Sequence, residues 1–154
     1  MDNEVKESAA PADVNVASAA SAPVPEWPSQ RFHVSHLRDA QFTGEGLRPY
    51  ALYRDLGMAD ATQGLVEAHV ARRGRPFNRD DVSKRHYHKV QFQMVYVLKG
   101  WLRNEFDGHG EHLMEEGSCW IQPAGIKHTV LDYSPDCEVL EIIVPADFKT
   151  EEVV

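Results

Sequence analysis

The chain is poor in the features that mark most specialised protein classes. Among its 154 residues the only cysteines are Cys119 and Cys137. Two thiols allow one disulfide at most, too few for a disulfide-stapled scaffold, so free thiols and a reducing cytoplasm are expected. Basic residues are also short, with 16 Lys and Arg against 24 Asp and Glu, a formal net charge of −8. Nucleic acid demands clustered Lys and Arg, so no nucleic-acid partner is expected. The opening Met1-Asp2-Asn3-Glu4 has no basic start before an apolar core, and no secretory signal is expected from it. No apolar run approaches the length of a membrane span. Helical periodicity is scarce too: the best window, Leu56 to Glu67, is broken by Gly57 and Gly64.

What is present falls into two parts. Residues 1–30 are rich in Ala, Ser, Pro and Val and hold little large apolar surface. Ordering such a segment would not recover its chain entropy, so it reads as a flexible tail. The sharper alternative is an arm that docks on a second subunit through Val24 and Trp27. Residues 31–154 form the expected domain, long enough to bury one core.

Within that domain the signals are those of short strands and tight turns. Strands are expected at Arg48 to Asp55, Leu65 to Arg72, Val90 to Leu98 and Trp101 to Phe106. Asp107-Gly108-His109-Gly110 reads as a hairpin turn, and Glu115-Glu116-Gly117 as another. Strands at Cys119 to Gln122, Lys127 to Tyr133 and Glu138 to Val144 complete the series, and Arg73 to Arg85 reads as a loop. The fold class is therefore all-β, a barrel or sandwich.

Two stretches carry chemistry. One is His86-Tyr87-His88 followed by Gln93 and Gly100; the other runs from Gly117 through Pro123 and Gly125 to His128. On a strand, residues i and i+2 share a face roughly 7 Å apart, so His86 and His88 can converge on one ion. Gln93 falls on the adjacent strand, and His128 arrives from a distant one. Pro123 ends a strand by removing a donor, and Gly125 permits the reversal that aims His128 inward. His86, His88, Gln93 and His128 are thus the candidate metal ligands. A barrel that kept this framework without metal affinity is the competing reading.

These residues resemble the cupin family. Its first motif, G-x5-H-x-H-x3,4-E-x6-G, is met in its latter part by His86, His88, Gln93 and Gly100; Asp80 stands where the leading Gly belongs. Its second, G-x5-P-x-G-x2-H-x3-N, is met by Gly117, Pro123, Gly125 and His128, with Asp132 in place of Asn. The resemblance spans about residues 45–146. It implies a small single-domain cupin of the RmlC-like, cupin-2 type: a six-to-eight-stranded double-stranded β-helix (jelly-roll) barrel, often dimeric, holding one divalent transition metal ion, whether Zn, Fe, Mn, Ni or Cu. Gln93 in place of the family's Glu leaves the donor set neutral, so the ion would keep its full charge and act as a stronger Lewis acid.

Glu141 is the candidate general base if its side chain points into the barrel, and a solvated strand residue if it points out. Its Glu-x-x-x-Pro setting resembles a segment of cupins that ketonise unsaturated uronates, but Asp147 stands where those carry an Arg. His69 reads as an ordinary barrel or surface histidine, with a place in the pocket wall as the alternative. Phe92, Met94 and Tyr96 would share the outer face if Gln93 looks inward, an apolar surface that suits a homodimer. Cys119 and Cys137 read as structural. The functional expectation is a metal-dependent enzyme acting on a small oxygen-rich organic molecule by isomerase- or lyase-type proton transfer. The alternatives are an O2-dependent dioxygenase and a non-catalytic module that binds or senses a small ligand.

Overall fold

The computed structural model describes residues 26–44 and 48–153. Most of the expected tail, Val24 included, lies outside them. Trp27 is within them, in coil and 57% exposed.

Ten strands form two five-stranded antiparallel sheets. They are β1 (Ala51–Asp55), β2 (Glu67–Arg73), β3 (His86–Lys89), β4 (Phe92–Lys99), β5 (Trp101–Phe106), β6 (Gly110–Glu115), β7 (Cys119–Ile121), β8 (His128–Tyr133), β9 (Glu138–Val144) and β10 (Lys149–Glu152). One sheet runs β1-β2-β9-β4-β7 and the other β10-β3-β8-β5-β6. Consecutive strands alternate between sheets from β2 to β5 and from β6 to β10, while β1–β2 and β5–β6 pair within one sheet, and the two inner faces enclose one core: the all-β jelly-roll expected from the turn spacing.

Alternation along the strands decides which side chains face inward. On β4, Gln93, Val95 and Val97 are buried, while Phe92, Tyr96 and Leu98 on the other face are 37–40% exposed. The core between the sheets is apolar: Val97, Leu102, Met114, Tyr133 and Val139 are all nearly inaccessible. Each such side chain contributes about 1.5–3 kcal/mol of burial free energy.

Turns fall where the sequence places them. Gly100 sits at φ +67°, and a Cβ there would run into Ser134, Asp136 and Cys137. That strand junction therefore accepts only glycine, both for its backbone angle and for its crowding.

Three short elements complete the fold, and one of them corrects the reading of Arg73 to Arg85 as loop. The window Leu56 to Glu67 yields only a single turn of helix, α1 (Met58–Ala61), entered through Gly57 in the left-handed region. Arg73 to Arg85 is not wholly loop, because α2 (Arg79–Val82) forms where Asn78 caps the Asp80 amide. Strand β10 was not foreseen, since Lys-Thr-Glu-Glu carries no apolar alternation; it is held by antiparallel pairing with β3 alone.

Candidate metal centre

Strand register builds the site from both sheets. In the sheet containing β3, His86 lies directly opposite His128, and Phe106 lies on the far side of His128. His88 follows two residues after His86 on the same face. The three ring centroids stand 4.1–5.2 Å apart. A ligating atom can be chosen from each ring so that all three lie within 4.8 Å of one another, and all three side chains are buried.

The two motif stretches are tied together by backbone. The Gly125 amide donates to the His88 carbonyl at 3.0 Å, and the Gln122 amide donates to the Gln93 carbonyl at 2.9 Å. Gly125 holds φ +75°, the left-handed angle its turn requires. This lattice explains why a Pro-x-Gly turn must precede His128 by that spacing: it docks the incoming strand onto the His-x-His strand.

Each imidazole is oriented through Nδ1. His86 Nδ1 donates to the Lys84 carbonyl at 2.7 Å, and His128 Nδ1 donates to the Ile126 carbonyl at 3.0 Å. His88 Nδ1 pairs with the Thr150 hydroxyl at 2.7 Å. Nδ1 contacts of this kind fix the tautomer that leaves the Nε2 lone pair free for an ion. Burial, the neighbouring His128 and then the Arg48 charge push His86 down to about 3, and burial and His128 push His88 down to about 4. Burial lowers His128 as well. At neutral pH all three rings are uncharged and need shed no proton to bind a cation.

The facing sheet supplies the rest. Gln93 is only 2% exposed, and its amide oxygen accepts from Gln122 Nε2 at 3.1 Å. The same nitrogen donates to His128 Nε2 at 3.2 Å. The lone pairs of Gln93 and His128 therefore point at one spot, which Gln122 now bridges. Three nitrogen donors and one amide oxygen suit a borderline transition ion. The residues fit such a group: His86, His88 and His128 would hold it, with Gln93 as fourth ligand.

Glu141 points inward. It lies between His69 on β2 and Val95 on β4 in one cross-strand row. Its carboxylate accepts from Gln93 Nε2 at 3.3 Å and lies 3.7 Å from His69 Nε2. His69 Nδ1 contacts Glu67 at 3.2 Å, so the ring sits between two carboxylates. Burial opposes charge on both partners, yet their mutual contacts win. His69 is raised to about 9 and Glu141 lowered to about 2.

Three lining residues, His69, Gln122 and Arg48, and Thr150 behind His88 were not assigned to the site from the sequence. His69 was read first as an ordinary barrel or surface residue and second as part of the pocket wall, and it is the second that the structure has. Gln122 and Thr150 lack any signal beyond their neighbourhood to a histidine strand. Arg48 reaches the cavity from just before β1, and only its charge in an otherwise apolar run set it apart. Cys137 is buried and Cys119 exposed, with no bond between them. His109 and His112 lie exposed at the β5–β6 hairpin.

Residues 77–143 match the family model of the cupin domain. No curated protein matches the chain. Among solved structures, the polyketide cyclase RemF from Streptomyces resistomycificus aligns with a TM-score of 0.64 at 16% identity, covering 80% of this chain and 87% of that one. An RmlC-like cupin from Shewanella frigidimarina aligns with a TM-score of 0.57 at 17% identity, covering 77% and 96%. A sugar phosphate isomerase of the cupin superfamily from Silicibacter pomeroyi aligns with a TM-score of 0.53 at 21% identity, covering 84% and 82%. At these identities the likeness concerns the fold. The matched segment carries the motif residues where the cupin pattern puts them, and the fold around it is that of small RmlC-like cupins.

Proposed function

We propose that this protein is a metal-dependent enzyme that moves a proton on a small oxygen-rich organic substrate, in isomerase- or lyase-type chemistry. The single observation that carries the reading is the placement of Glu141: an inward carboxylate in the same cavity as three convergent, neutral imidazoles. A divalent transition ion held by His86, His88, His128 and Gln93 would polarise a substrate oxygen and acidify the adjacent C–H bond.

The chain's own groups do the remainder. Glu141 accepts the proton from the carbon beside that oxygen and returns it at another atom of the same substrate, so no electron acceptor is needed. Gln93 Nε2 and the His69 ring hold the carboxylate in place. Val95 and Val139, both buried, line the cavity beside it with apolar surface. The apolar outer stripe of Phe92, Tyr96, Leu98 and Ile121 supports a homodimer, and the two free thiols support a cytoplasmic setting.

The test is deuterium uptake. Protein reconstituted in turn with Zn, Mn, Fe, Ni and Cu is incubated in D2O with a panel of keto and hydroxy acids, and exchange is followed by NMR. Glu141→Gln should slow exchange by about 10²–10⁴-fold while keeping its metal. Substoichiometric metal after every reconstitution, or full exchange by Glu141→Gln, overturns the proposal. Oxygen uptake without exchange would favour dioxygenase chemistry instead.

A further inference from the structure

The cavity contains more hydrogen-bonding capacity than its own side chains satisfy. Among the described residues, five buried side-chain polar atoms have no hydrogen-bond partner, and four of them belong to residues lining this one cavity: Arg48 Nη2, Arg73 Nε, Asn104 Oδ1 and His69 Nε2, the last ion-paired with Glu141 at 3.7 Å. Three are donors on basic groups. Orphan polar atoms are costly when buried, and their concentration in one place marks a site built for a guest.

The charge balance points to the kind of guest. The protein as a whole carries −8. Its cavity wall reverses that sign, with Arg48 and Arg73 set against one carboxylate, Glu141. Gln93, where the family pattern has an acid, adds no negative charge. Arg73 is spoken for in part, since its guanidinium packs over Tyr133 at 4.8 Å and Tyr50 at 5.7 Å. Arg48 is less committed: its side chain is only 14% exposed, and among the described residues its one ionic contact is Nη1 at 3.9 Å from the exposed Glu152. Its buried Nη2 has no hydrogen-bond partner among the described residues. A planar guanidinium with free N–H groups binds carboxylate and phosphate oxygens in preference to neutral ones.

We infer that Arg48, backed by Arg73, anchors an anionic oxygen group of the substrate, so that the substrate is a small organic acid with a carboxylate or phosphate besides the oxygens presented to the imidazole cluster. The inference rests on the proposed enzyme reading for the identity of the guest as substrate, though the anion site itself does not need the metal. Asn104 Oδ1, the one orphan acceptor, then takes a hydroxyl of the same molecule.

Calorimetric titration of the full-length chain tests this, with and without reconstituted zinc. L-malate, an α-hydroxy acid with a second carboxylate, is compared with 2-hydroxybutyrate, which lacks it, and with 3-phosphoglycerate, which carries a phosphate instead. Malate or 3-phosphoglycerate should bind about tenfold or more tightly than 2-hydroxybutyrate, and whichever wins identifies the anionic group. Arg48→Gln should erase that advantage, and Arg48→Lys should restore part of it. Zinc content and melting temperature should stay at wild-type values in both. Equal binding of all three acids by the wild type, or an undiminished preference in Arg48→Gln, overturns the inference. Should zinc fail to bind, the metal-free arm still decides: a preference that Arg48→Gln abolishes upholds the anion site even as the enzyme reading falls.

Discussion

The two sheets that enclose the cavity solve opposite electrostatic problems. The β3–β8 wall buries three imidazoles and keeps them uncharged, by removing water and by setting them beside one another. The β2–β9 wall buries one imidazole, His69, and keeps it charged by placing Glu67 and Glu141 on either side. The residue type is the same and the burial is similar. What differs is the neighbour, and the neighbour decides whether a histidine offers a lone pair or a proton. All three candidate imidazole donors stand on the first wall, with Gln93 facing them from β4, whereas the second wall holds the Glu141 carboxylate ionised beside His69.

The sharpest way to break this contrast is to cut each wall in turn. His86→Ala or His128→Ala removes a candidate ligand and should weaken metal binding by more than about 100-fold, measured by chelator competition. His69→Ala should leave metal stoichiometry unchanged. Equal metal loss from both walls would mean that the division of labour is wrong.

The next effect separates the walls by pH, in metal-free protein. His86 and His88 titrate near 6.5 when unfolded but at about 3 and about 4 when folded. Below pH 6.5 the unfolded chain therefore binds more protons, and stability falls as pH drops toward 4. His69 runs the other way: its folded value of about 9 lies above 6.5, so its contribution is complete below 6.5 and is lost as pH rises through 9. Each group can add at most about 1.4 kcal/mol per pH unit to the slope. Urea unfolding across pH 4–10 should give a dome whose acid limb flattens in His86→Gln and whose alkaline limb flattens in His69→Gln. A single variant that flattened both limbs would show the walls to be one coupled system.

A smaller effect comes from support behind the rings. Thr150→Val deletes the hydroxyl paired with His88 Nδ1 and should lower metal affinity by about 10–100-fold, with little change in the apo melting temperature. Strand β10, which carries Thr150, is also where sequence reading was weakest. The His-x-His and Pro-x-Gly-x-x-His stretches were legible because their side chains and their turn chemistry are local: period two sets the face, and a proline and a glycine set the reversal. Gln93 was legible for the same reason, one strand away from His88. The opposite wall is assembled by pairings between β2, β9 and β4, strands 40 to 70 residues apart in sequence at their extremes, and neither His69 nor Glu141 could be oriented without that register. Thr150 lies on a segment whose composition carries no strand signal, and Arg48 stands just ahead of β1 at the edge of an expected strand, so tertiary pairing alone brings one behind His88 and the other to the cavity.

Two glycines let the legible part be tested on its own. Gly100 and Gly125 both hold left-handed backbone angles, but their surroundings differ. A methyl group at Gly125 meets nothing within 4 Å, so Gly125→Ala should cost only backbone strain, about 1–2 kcal/mol in chemical denaturation. The turn should still deliver His128, because its Gly125 amide bond to the His88 carbonyl involves no side chain, and metal stoichiometry should hold. Gly100→Ala adds a collision with Ser134 and Asp136 to the same strain and should cost more. If Gly125→Ala instead empties the metal site at unchanged stability, the turn positions His128 far more tightly than its open surroundings imply. The Pro-x-Gly spacing would then belong to the chemistry of the site rather than to the fold.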